Sequence, residues 1–490
     1  MRINMAVTPV WQQETPLLSI AYLTAYLRHH GHEVKAFDFN IEVKKSGFRN
    51  MLPVPEFEKK FMAFLYPEYF SQENLDAGEQ KAFRSAMEYA NLWSGRLLDN
   101  SPDAICFSTY YTTLLLSLMV ARRIREKDKD RLIIFGGPEG AAFRNARFLI
   151  STGYVDAVVM GEGEGTLLNI IESITESGLS RTEGSLTRKN GLVYDGGPVK
   201  LIEDVNSIPY PDFTDTPSTK YLLKNTLPAI TSRGCIGSCI FCEERAFWGK
   251  FRARNPENIV GEFSRNVKQL GIRRFRLNDS LINGDLKNLP LTCDRIMEAG
   301  LDVVWGGNAR INPSMDEQLL AKMHNAGCRF LVYGVESGSD KVLGDMRKGT
   351  STQQTENLIK QTRSMGIRAY IFLITGFPTE DEEDFMETME FLKRNKRYIE
   401  GVATYNFMIH QGASIYKILP QTNIRLVKLG VDYPPQLDHC RTYFTFYNTS
   451  MWYTKDGKST PEIRQRRHEV LEDFLRDEGM SAIRIPIEKM

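Results

Sequence analysis

The first half of the chain alternates short β-branched runs with amphipathic helical patterns. Strands are predicted where apolar residues cluster, at 3–7, 32–39, 104–108, 131–137 and 156–161. Helical patterns lie between them, notably at 15–31, 113–127 and 164–177. Strands that alternate with helices predict a doubly wound parallel sheet of the flavodoxin or Rossmann type. A helix-rich, aromatic insertion at about 55–100 interrupts this alternation.

A second and more regular series follows a proline-rich connector. The connector gives a predicted N-terminal domain over 1–205 and a linker over 206–227. Six strand patterns then alternate with helical ones, at 228–233, 273–278, 302–308, 329–335, 367–374 and 402–409. Six units are too few for an eight-fold barrel, so we expect a partial (βα)6 barrel over 228–410. A small, aromatic α+β region over 411–490 ends the chain and includes a charged helical pattern at 461–478.

Composition and charge exclude several classes of protein. A net charge of +1 gives no global attraction to nucleic acid or to an acidic membrane. No segment approaches the roughly 18–20 consecutive apolar residues of a membrane helix. The N-terminus is too short and polar for a signal peptide. Seven cysteines, an odd number, do not indicate a disulfide framework, so we expect a cytoplasmic protein.

Three of the cysteines lie within one short segment. Cys235, Cys239 and Cys242 are spaced C-x3-C-x2-C and follow the first strand of the second series. Structural zinc takes four ligands, usually as two pairs, and no nearby histidine completes such a site in sequence. A four-iron cluster held by three thiolates explains the count better, because one iron stays open to another ligand. The residues therefore favour a [4Fe-4S] cluster over zinc or structural cysteines.

This motif, with an aromatic residue before its third cysteine, resembles the signature of the radical S-adenosylmethionine (SAM) superfamily. The resemblance implies that SAM binds the open iron and that one electron cleaves it to methionine and a 5′-deoxyadenosyl radical. That radical abstracts hydrogen from an unactivated C–H bond. The chemistry also implies an electron donor such as flavodoxin or ferredoxin as a partner.

Segments after successive strands resemble the SAM contacts of that superfamily. Glu336 and Ser337 match the stretch that meets the ribose or amino group, and Gly376 lies in the stretch that backs the adenine. Residues 277–283 replace a Gly-Gly-Glu stretch that many members carry, and Arg310 can pair with a carboxylate. A helix cap or a surface ion pair is the alternative for each. The predicted SAM contacts are Phe241, Asn278, Asp279, Ser280, Arg310, Glu336, Ser337 and Gly376.

The N-terminal half resembles the cobalamin-binding domain that precedes the barrel in B12-dependent radical SAM enzymes. Residues 15–40, 133–143 and 158–171 carry this resemblance, the last two as strands that end in glycine-rich turns. The Asp-x-His-x-x-Gly motif that offers histidine to cobalt is absent, as it often is in this subgroup. Tyr110 lies in the candidate segment for the lower face of the corrin, with a core aromatic as the alternative. The predicted cobalamin contacts are Ser108, Thr109, Tyr110, Gly136, Gly137, Pro138, Glu139, Gly161, Glu162, Gly163 and Glu164.

Together these resemblances imply a class B radical SAM C-methyltransferase. Such an enzyme uses two SAM molecules, a 5′-deoxyadenosyl radical and methylcobalamin to methylate an unactivated sp3 carbon. A protein or peptide side chain is the suggested substrate, and a small-molecule substrate is the alternative. Ring closure or rearrangement without methyl transfer is one alternative, and a non-catalytic sensor that binds SAM and the cluster is another. A methylthiotransferase is disfavoured, because Cys106 alone cannot supply a second cluster.

Two further groups are candidates for contact with the substrate. His410 ends the sixth strand pattern and is the candidate catalytic residue, with a structural histidine as the alternative. The aromatic residues Tyr443, Tyr447 and Trp452 of the C-terminal region are candidate substrate contacts. Core packing is the alternative for these three side chains.

Overall fold

The computed structural model describes residues 1–43, 57–70, 75–138, 143–174, 179–427, 433–437 and 451–480. The chain divides into two compact units. The first comprises Met1–Glu203, Ser207–Lys224 and Leu429–Tyr447, and the second comprises Asp204–Asn206, Asn225–Lys428 and Asn448–Met490. The domain limits and the linker drawn from the sequence stay predictions. In the part of the chain that is described, no helix is long and apolar enough to cross a membrane.

The first unit is built on a seven-stranded sheet. Its strands are β1 (Arg2–Val7), β2 (Glu33–Asp38), β3 (Ala104–Ser108), β4 (Leu132–Gly136), β5 (Ala157–Val159), β6 (Ser185–Lys189) and β7 (Leu192–Asp195). Their order is β2-β1-β3-β4-β5-β6-β7, with parallel pairing from β2 to β5 and antiparallel pairing beyond. The predicted doubly wound sheet is confirmed. The strand order reverses between β1 and β3, where ligands bind in open α/β sheets.

Helices cover both faces of this sheet. They are α1 (Leu18–His29), α2 (Phe57–Leu65), α3 (Ala77–Leu98), α4 (Leu114–Lys127), α5 (Phe143–Ser151) and α6 (Gly163–Glu172). The α1 and α6 side buries Ile20 and Ile170, and the α3 and α4 side buries Trp93 and Leu118. Because β3 is buried on both faces, its sequence is apolar almost throughout, which is why the sequence pattern located it.

The second unit contains a six-stranded, all-parallel sheet in the order β15-β14-β13-β12-β11-β8. The predicted partial barrel is confirmed. Its strands are β8 (Thr226–Ala229), β11 (Arg274–Leu277), β12 (Val304–Ala309), β13 (Cys328–Glu336), β14 (Arg368–Thr375) and β15 (Ile399–Asn406). Two short antiparallel pairs accompany it: β9 (Ser232–Arg233) with β10 (Arg252–Ala253), and β16 (Ile424–Leu426) with β17 (Trp452–Thr454).

Helices connect these strands and cover the sheet. They are α7 (Glu244–Trp248), α8 (Pro256–Leu270), α9 (Asn288–Glu298), α10 (Glu317–Asn325), α11 (Asp340–Asp345), α12 (Thr352–Ser364), α13 (Glu382–Asn395), α14 (Ser414–Ile418) and α15 (Pro461–Asp477). Parallel strands with intervening helices bring the carboxyl ends of all six strands to one edge, where ligands collect in such folds.

Candidate cluster and cofactor sites

The three cysteines of the motif lie between β9 and α7, beyond the carboxyl end of β8, and all three thiols are partly buried. Burial raises the pKa of the Cys242 thiol to about 12 and also raises the pKa of Cys235. Both thiols are therefore protonated at neutral pH until a metal displaces the protons, so cluster binding is coupled to proton release.

Buried Asp279 fixes the start of the cysteine loop. Its carboxylate accepts hydrogen bonds from the Thr231 N–H at 3.0 Å, the Thr231 hydroxyl at 2.7 Å and the Ser232 hydroxyl at 2.7 Å. Burial raises the pKa of Asp279, and these hydrogen bonds oppose that shift. The structure thus gives Asp279 a role in shaping the loop. Its predicted SAM contact stays a prediction.

Arg310 lies against the cysteine loop. Its Nη1 is 3.6 Å from Cys239 Sγ, and the Gly237 N–H donates to Cys235 Sγ over 3.2 Å. Buried Asn283 holds the Arg310 backbone from both sides, donating to its carbonyl at 2.7 Å and accepting from its N–H at 2.9 Å. A Cβ at position 237 would lie 2.5 Å from Arg310 Nη1, so a side chain there would displace the guanidinium. Sequence reasoning missed Gly237 and Asn283.

These residues fit a [4Fe-4S] cluster. They supply three thiols from one loop, a backbone donor to sulfur and a nearby cation, which are the protein's means of tuning such a cluster. Among the described residues, no three histidine, cysteine or carboxylate side chains converge on a single metal ion. Convergence is not required in a four-iron cluster, because each thiolate binds a different iron.

Glu336 ends β13 with a left-handed backbone, φ 71°, which is uncommon for a residue other than glycine. Its carboxylate forms a buried ion pair with Lys348, Oε1 to Nζ 2.6 Å. Such backbone conformations concentrate at functional sites. Ser337 is buried beside it, with its hydroxyl 3.3 Å from the Thr388 hydroxyl. Lys348 was not predicted from the sequence.

Gly376 follows β14 in a turn held by α15. Its N–H donates to the Glu380 carboxylate at 2.6 Å, and its φ is 78°. Glu380 also pairs with buried Arg467 of α15 at 3.4 Å, and burial raises the pKa of Glu380 to about 7. A side chain at position 376 would collide with Arg464 of the same helix. Sequence reasoning missed Arg464 and Arg467 because they lie far from this turn along the chain.

The other predicted SAM contacts, Phe241, Asn278 and Ser280, differ in burial and in their neighbours. Phe241 packs in the apolar cluster that contains Phe377 and Phe407. Asn278 is exposed, and its N–H donates to the Ala229 carbonyl at 2.8 Å. The Ser280 hydroxyl donates to the Glu244 carboxylate, next to the cysteine loop. All of these SAM contacts stay predictions.

The candidate substrate contacts differ in their exposure to solvent. His410 is half-exposed, with Nδ1 3.5 Å from Glu243 Oε1 on the cysteine loop. Trp452 is fully buried, with the Arg464 guanidinium 3.7 Å from its ring centre and its indole N–H donating to the Phe407 carbonyl at 3.4 Å. Trp452 therefore packs in a core, the alternative foreseen for it. Tyr443 and Tyr447 lie outside the described residues.

In the first unit, the loops after β1, β3 and β4 meet at one edge of the sheet. The Ser108 hydroxyl lies 3.1 Å from the Ser19 hydroxyl. Thr109 donates to the Gly136 carbonyl through both its N–H at 2.8 Å and its hydroxyl at 2.7 Å. A Cβ at Gly137, whose φ is 92°, would lie 2.6 Å from the Thr109 carbonyl oxygen, so only glycine fits there.

An aromatic pair lies at the same edge. The rings of Trp11 and Tyr110 stack with their centres 3.8 Å apart. Trp11 follows β1 and Tyr110 follows β3, so the pair marks the point where the strand order reverses. Sequence reasoning proposed Tyr110 and missed Trp11, which has no motif to identify it.

Several residues in and just after the turn that follows β5 contact other parts of the first unit. The buried Glu162 carboxylate accepts a hydrogen bond from the Ile202 N–H at 2.9 Å, and buried Glu164 lies in the first turn of α6. Gly161 approaches Val199, and Gly163 approaches Leu23. Pro138 is exposed, and Glu139 lies outside the described residues. The cobalamin contacts stay predictions.

The described histidines of the first unit lie at the opposite edge of its sheet. His29, His30 and His32 stand at the end of α1 and before β2, where the strands begin. In this part of the described chain, no histidine stands beside the Trp11–Tyr110 pair. The observation agrees with the missing Asp-x-His-x-x-Gly motif.

The radical SAM superfamily model matches residues 229–392. A Pyrococcus horikoshii protein named as an uncharacterized methyltransferase is 28% identical over 297 residues, 60% of this chain and 64% of that protein. The anaerobic magnesium-protoporphyrin IX monomethyl ester cyclase of Rubrivivax gelatinosus is 29% identical over 282 residues, 55% of this chain and 50% of that protein. The chain thus matches less than two thirds of the length of either relative.

Among solved structures, the radical SAM methyltransferase TsrM of Kitasatospora setae superposes with a TM-score of 0.66 at 15% identity, covering 97% of this chain and 88% of TsrM. This likeness establishes the fold of both units. The superfamily match covers the cysteine loop and the strands and helices from there into α13, and it implies a [4Fe-4S] cluster and SAM. Residues 229–392 therefore match the radical SAM superfamily, and the chain has a fold similar to that of TsrM.

Proposed function

We propose that the protein is a cobalamin-dependent C-methyltransferase that uses two SAM molecules to methylate an unactivated sp3 carbon. The observation that carries the proposal is the arrangement of Cys235, Cys239 and Cys242 beyond the first strand of a (βα)6 sheet, in a chain that also has a flavodoxin-type unit. Cys235, Cys239 and Cys242 would hold the cluster, which together with SAM would supply radical chemistry, and cobalamin would supply methyl-transfer chemistry.

The residues of the second unit have separate tasks in this proposal. The three thiolates hold the cluster, and Arg310 with the Gly237 N–H stabilises the negative charge on the sulfurs. The Glu336 carboxylate, fixed by Lys348, is placed to accept hydrogen bonds from a hydroxyl or amino group of SAM. Helix α15 keeps the turn at Gly376 rigid through Glu380.

In the first unit, the edge beside Trp11 and Tyr110 is the proposed cobalamin site. Backbone turns that only glycine can adopt and buried hydroxyl groups suit close approach of a large polar ligand. The likeness to TsrM, which has been solved with cobalamin and a [4Fe-4S] cluster bound, supports this site. If cobalamin binds at this edge, Trp11 and Tyr110 would be among the residues that hold it.

A second candidate function is ring closure without methyl transfer. It is favoured by the similarity to the magnesium-protoporphyrin IX monomethyl ester cyclase. A non-catalytic sensor is the third candidate, and formation of 5′-deoxyadenosine distinguishes an enzyme from it. Cytoplasmic location and flavodoxin or ferredoxin as electron donor are part of the proposal, as is a protein, peptide or small-molecule substrate.

The test is an anaerobic assay of the reconstituted protein with SAM carrying a labelled methyl group and a chemical reductant. We expect 5′-deoxyadenosine from the wild type and none from Cys239→Ala. The control Cys293→Ala removes a buried thiol elsewhere and should retain activity. S-adenosylhomocysteine formation and label in an added substrate mark methyl transfer. Formation of 5′-deoxyadenosine without S-adenosylhomocysteine would favour ring closure, and absence of both products would contradict an enzymatic role.

A further inference from the structure

The loop after β1, residues 8–13, carries Trp11 and is bonded to the loop after β3. The Val10 N–H donates to the Thr112 carbonyl at 3.3 Å, and the Val10 carbonyl accepts a hydrogen bond from the Thr112 hydroxyl. The ring of Trp11 stacks on Tyr110, which follows the same strand β3. The backbone just before Trp11 is therefore fixed on the side of β3.

On the side of β2, Asn40 holds the backbone of the same loop. Asn40 lies in the turn after β2, with 1% of its surface exposed. Its Oδ1 accepts a hydrogen bond from the Trp11 N–H at 2.8 Å, and its Nδ2 donates to the Gln12 carbonyl at 2.9 Å. Because β2 and β3 flank β1 in the sheet, the loop that carries Trp11 is held from both sides.

Asn40 is itself fixed by a buried network. Its N–H donates to Asp38 Oδ1 at 3.0 Å, and Asp38 Oδ2 accepts a hydrogen bond from the Tyr221 hydroxyl at 2.6 Å. The side-chain amide of Gln13 donates to the Asn40 carbonyl and, at 3.0 Å, to the Val43 carbonyl. Asp38, Asn40 and Tyr221 are all buried. Since buried hydrogen-bond networks restrict the side chains that take part in them, the Asn40 amide is held in one orientation.

These contacts give the Trp11 ring a fixed place at the edge of the sheet. Its centre lies 3.8 Å from that of the Tyr110 ring, at an interplanar angle of 19°. Trp11 is nevertheless partly exposed, whereas Asn40 behind it is buried. An aromatic ring that is oriented in advance loses little conformational freedom when a ligand binds, which favours affinity.

We propose that Asn40 is a positioning residue of the cobalamin site, which acts by holding Trp11 in the orientation that contacts cobalamin. The proposal rests on the proposed function and adds to it the residue that orders this contact. Because Asn40 acts through Trp11, its effect on cobalamin affinity depends on the Trp11 ring. A residue that only stabilised the fold would have the same effect with and without that ring.

The test is a double-mutant cycle of Asn40→Leu and Trp11→Ala, with hydroxocobalamin as the probe. Binding is measured by equilibrium dialysis on the full chain, produced without cobalamin and reconstituted anaerobically with its cluster. Asn40→Leu keeps the branched shape of the side chain and removes its hydrogen bonds, so it should weaken binding about tenfold. In the Trp11→Ala background the same change should weaken binding less than about twofold, because the ring that Asn40 positions is absent.

The matched control is Asn4→Leu, which removes a buried amide from the same unit. Asn4 lies within β1, and its Nδ2 donates to the Leu97 carbonyl at 2.8 Å. We expect Asn4→Leu to lower the temperature of thermal unfolding, as Asn40→Leu does, and to leave the affinity for hydroxocobalamin unchanged. Hydrogen–deuterium exchange provides a readout without ligand, since peptides that cover residues 8–13 should exchange faster in Asn40→Leu and at the wild-type rate in Asn4→Leu.

Unchanged affinity in Asn40→Leu, an equal loss with and without the Trp11 ring, or unchanged exchange of residues 8–13 would overturn this proposal alone. So would a loss of affinity in Asn4→Leu as large as that in Asn40→Leu. Methyl transfer from labelled SAM is measured on the same preparations. Wild-type protein that binds hydroxocobalamin and shows the expected cycle but transfers no methyl group would count against the proposed function alone, and wild-type protein that binds no hydroxocobalamin would overturn both.

Discussion

Arg310 Nη1 lies 3.6 Å from Cys239 Sγ, while the Arg310 backbone is held on both sides by buried Asn283. A cation placed here stabilises the more negative, reduced state of a cluster bound by these thiolates. Arg310→Gln should therefore lower the reduction potential of the cluster. We expect a shift of about 60 mV, the one-electron equivalent of a tenfold change in the equilibrium constant.

A redox titration followed by electron paramagnetic resonance measures this shift. Arg273→Gln, which removes an exposed arginine paired with Asp302, serves as the control and should leave the potential unchanged. An unchanged potential in Arg310→Gln, with full iron content, would mean that Arg310 acts on another group.

The stability of the second unit should depend on pH through Glu380. Burial raises the pKa of Glu380 to about 7 from an ordinary value of 4.5, with Arg467 opposing the shift. Between these two values the folded state holds a proton that the unfolded state releases, so this contribution is full below about pH 4.5 and is lost as pH rises toward 7. Urea unfolding measures the free energy of unfolding at pH 5 and at pH 7. The decrease in this free energy from pH 5 to pH 7 should be smaller in Glu380→Gln than in the wild type. Equal losses in both proteins would contradict the assigned pKa.

Gly137 should resist substitution. A Cβ there meets the Thr109 carbonyl oxygen at 2.6 Å, and its backbone is left-handed. Gly137→Ala is expected to reduce the free energy of unfolding by more than about 1 kcal/mol. The control is Gly165→Ala within α6, where a Cβ has no neighbour within 4 Å and helix propensity favours alanine. A larger loss of unfolding free energy in Gly165→Ala than in Gly137→Ala, measured by urea titration, would contradict the close contact assigned to Gly137.

The Trp11–Tyr110 pair should support cobalamin. Trp11→Ala removes one ring of a stack with centres 3.8 Å apart, and we expect a lower cobalt content with unchanged iron. Trp11→Phe keeps an aromatic ring and should retain most of the cobalt. Metal analysis of proteins purified in parallel from cobalamin-fed cells provides the measurement, and equal cobalt in all three proteins would place the corrin elsewhere.

Sequence patterns located the parallel strands of both sheets, and β3 shows the reason, because a buried parallel strand is a nearly continuous apolar run. The first barrel strand shows where this approach fails. The sequence pattern predicts one strand over 228–233. The structure instead has a break between β8 and β9, where the Thr231 N–H donates to the Asp279 carboxylate and not to a neighbouring strand. No local pattern encodes that contact, which spans 48 positions.

The candidate site was predictable only where a motif is local. The three cysteines are close in sequence, so their spacing identified them. The Glu380–Arg467 pair joins residues 87 positions apart, and the Glu336–Lys348 pair depends on an unusual backbone at Glu336. Such contacts arise from tertiary packing, so propensity and periodicity carry no signal for them.

The central claim is that one chain holds both a [4Fe-4S] cluster and cobalamin. Its most direct test is an anaerobic ultraviolet–visible spectrum with iron and cobalt analysis of protein purified from cobalamin-fed cells. We predict about four irons and about one cobalt per chain, with cobalt bands that shift on reduction. Iron without cobalt would contradict the methyl-transfer mechanism and leave a radical SAM enzyme without a corrin.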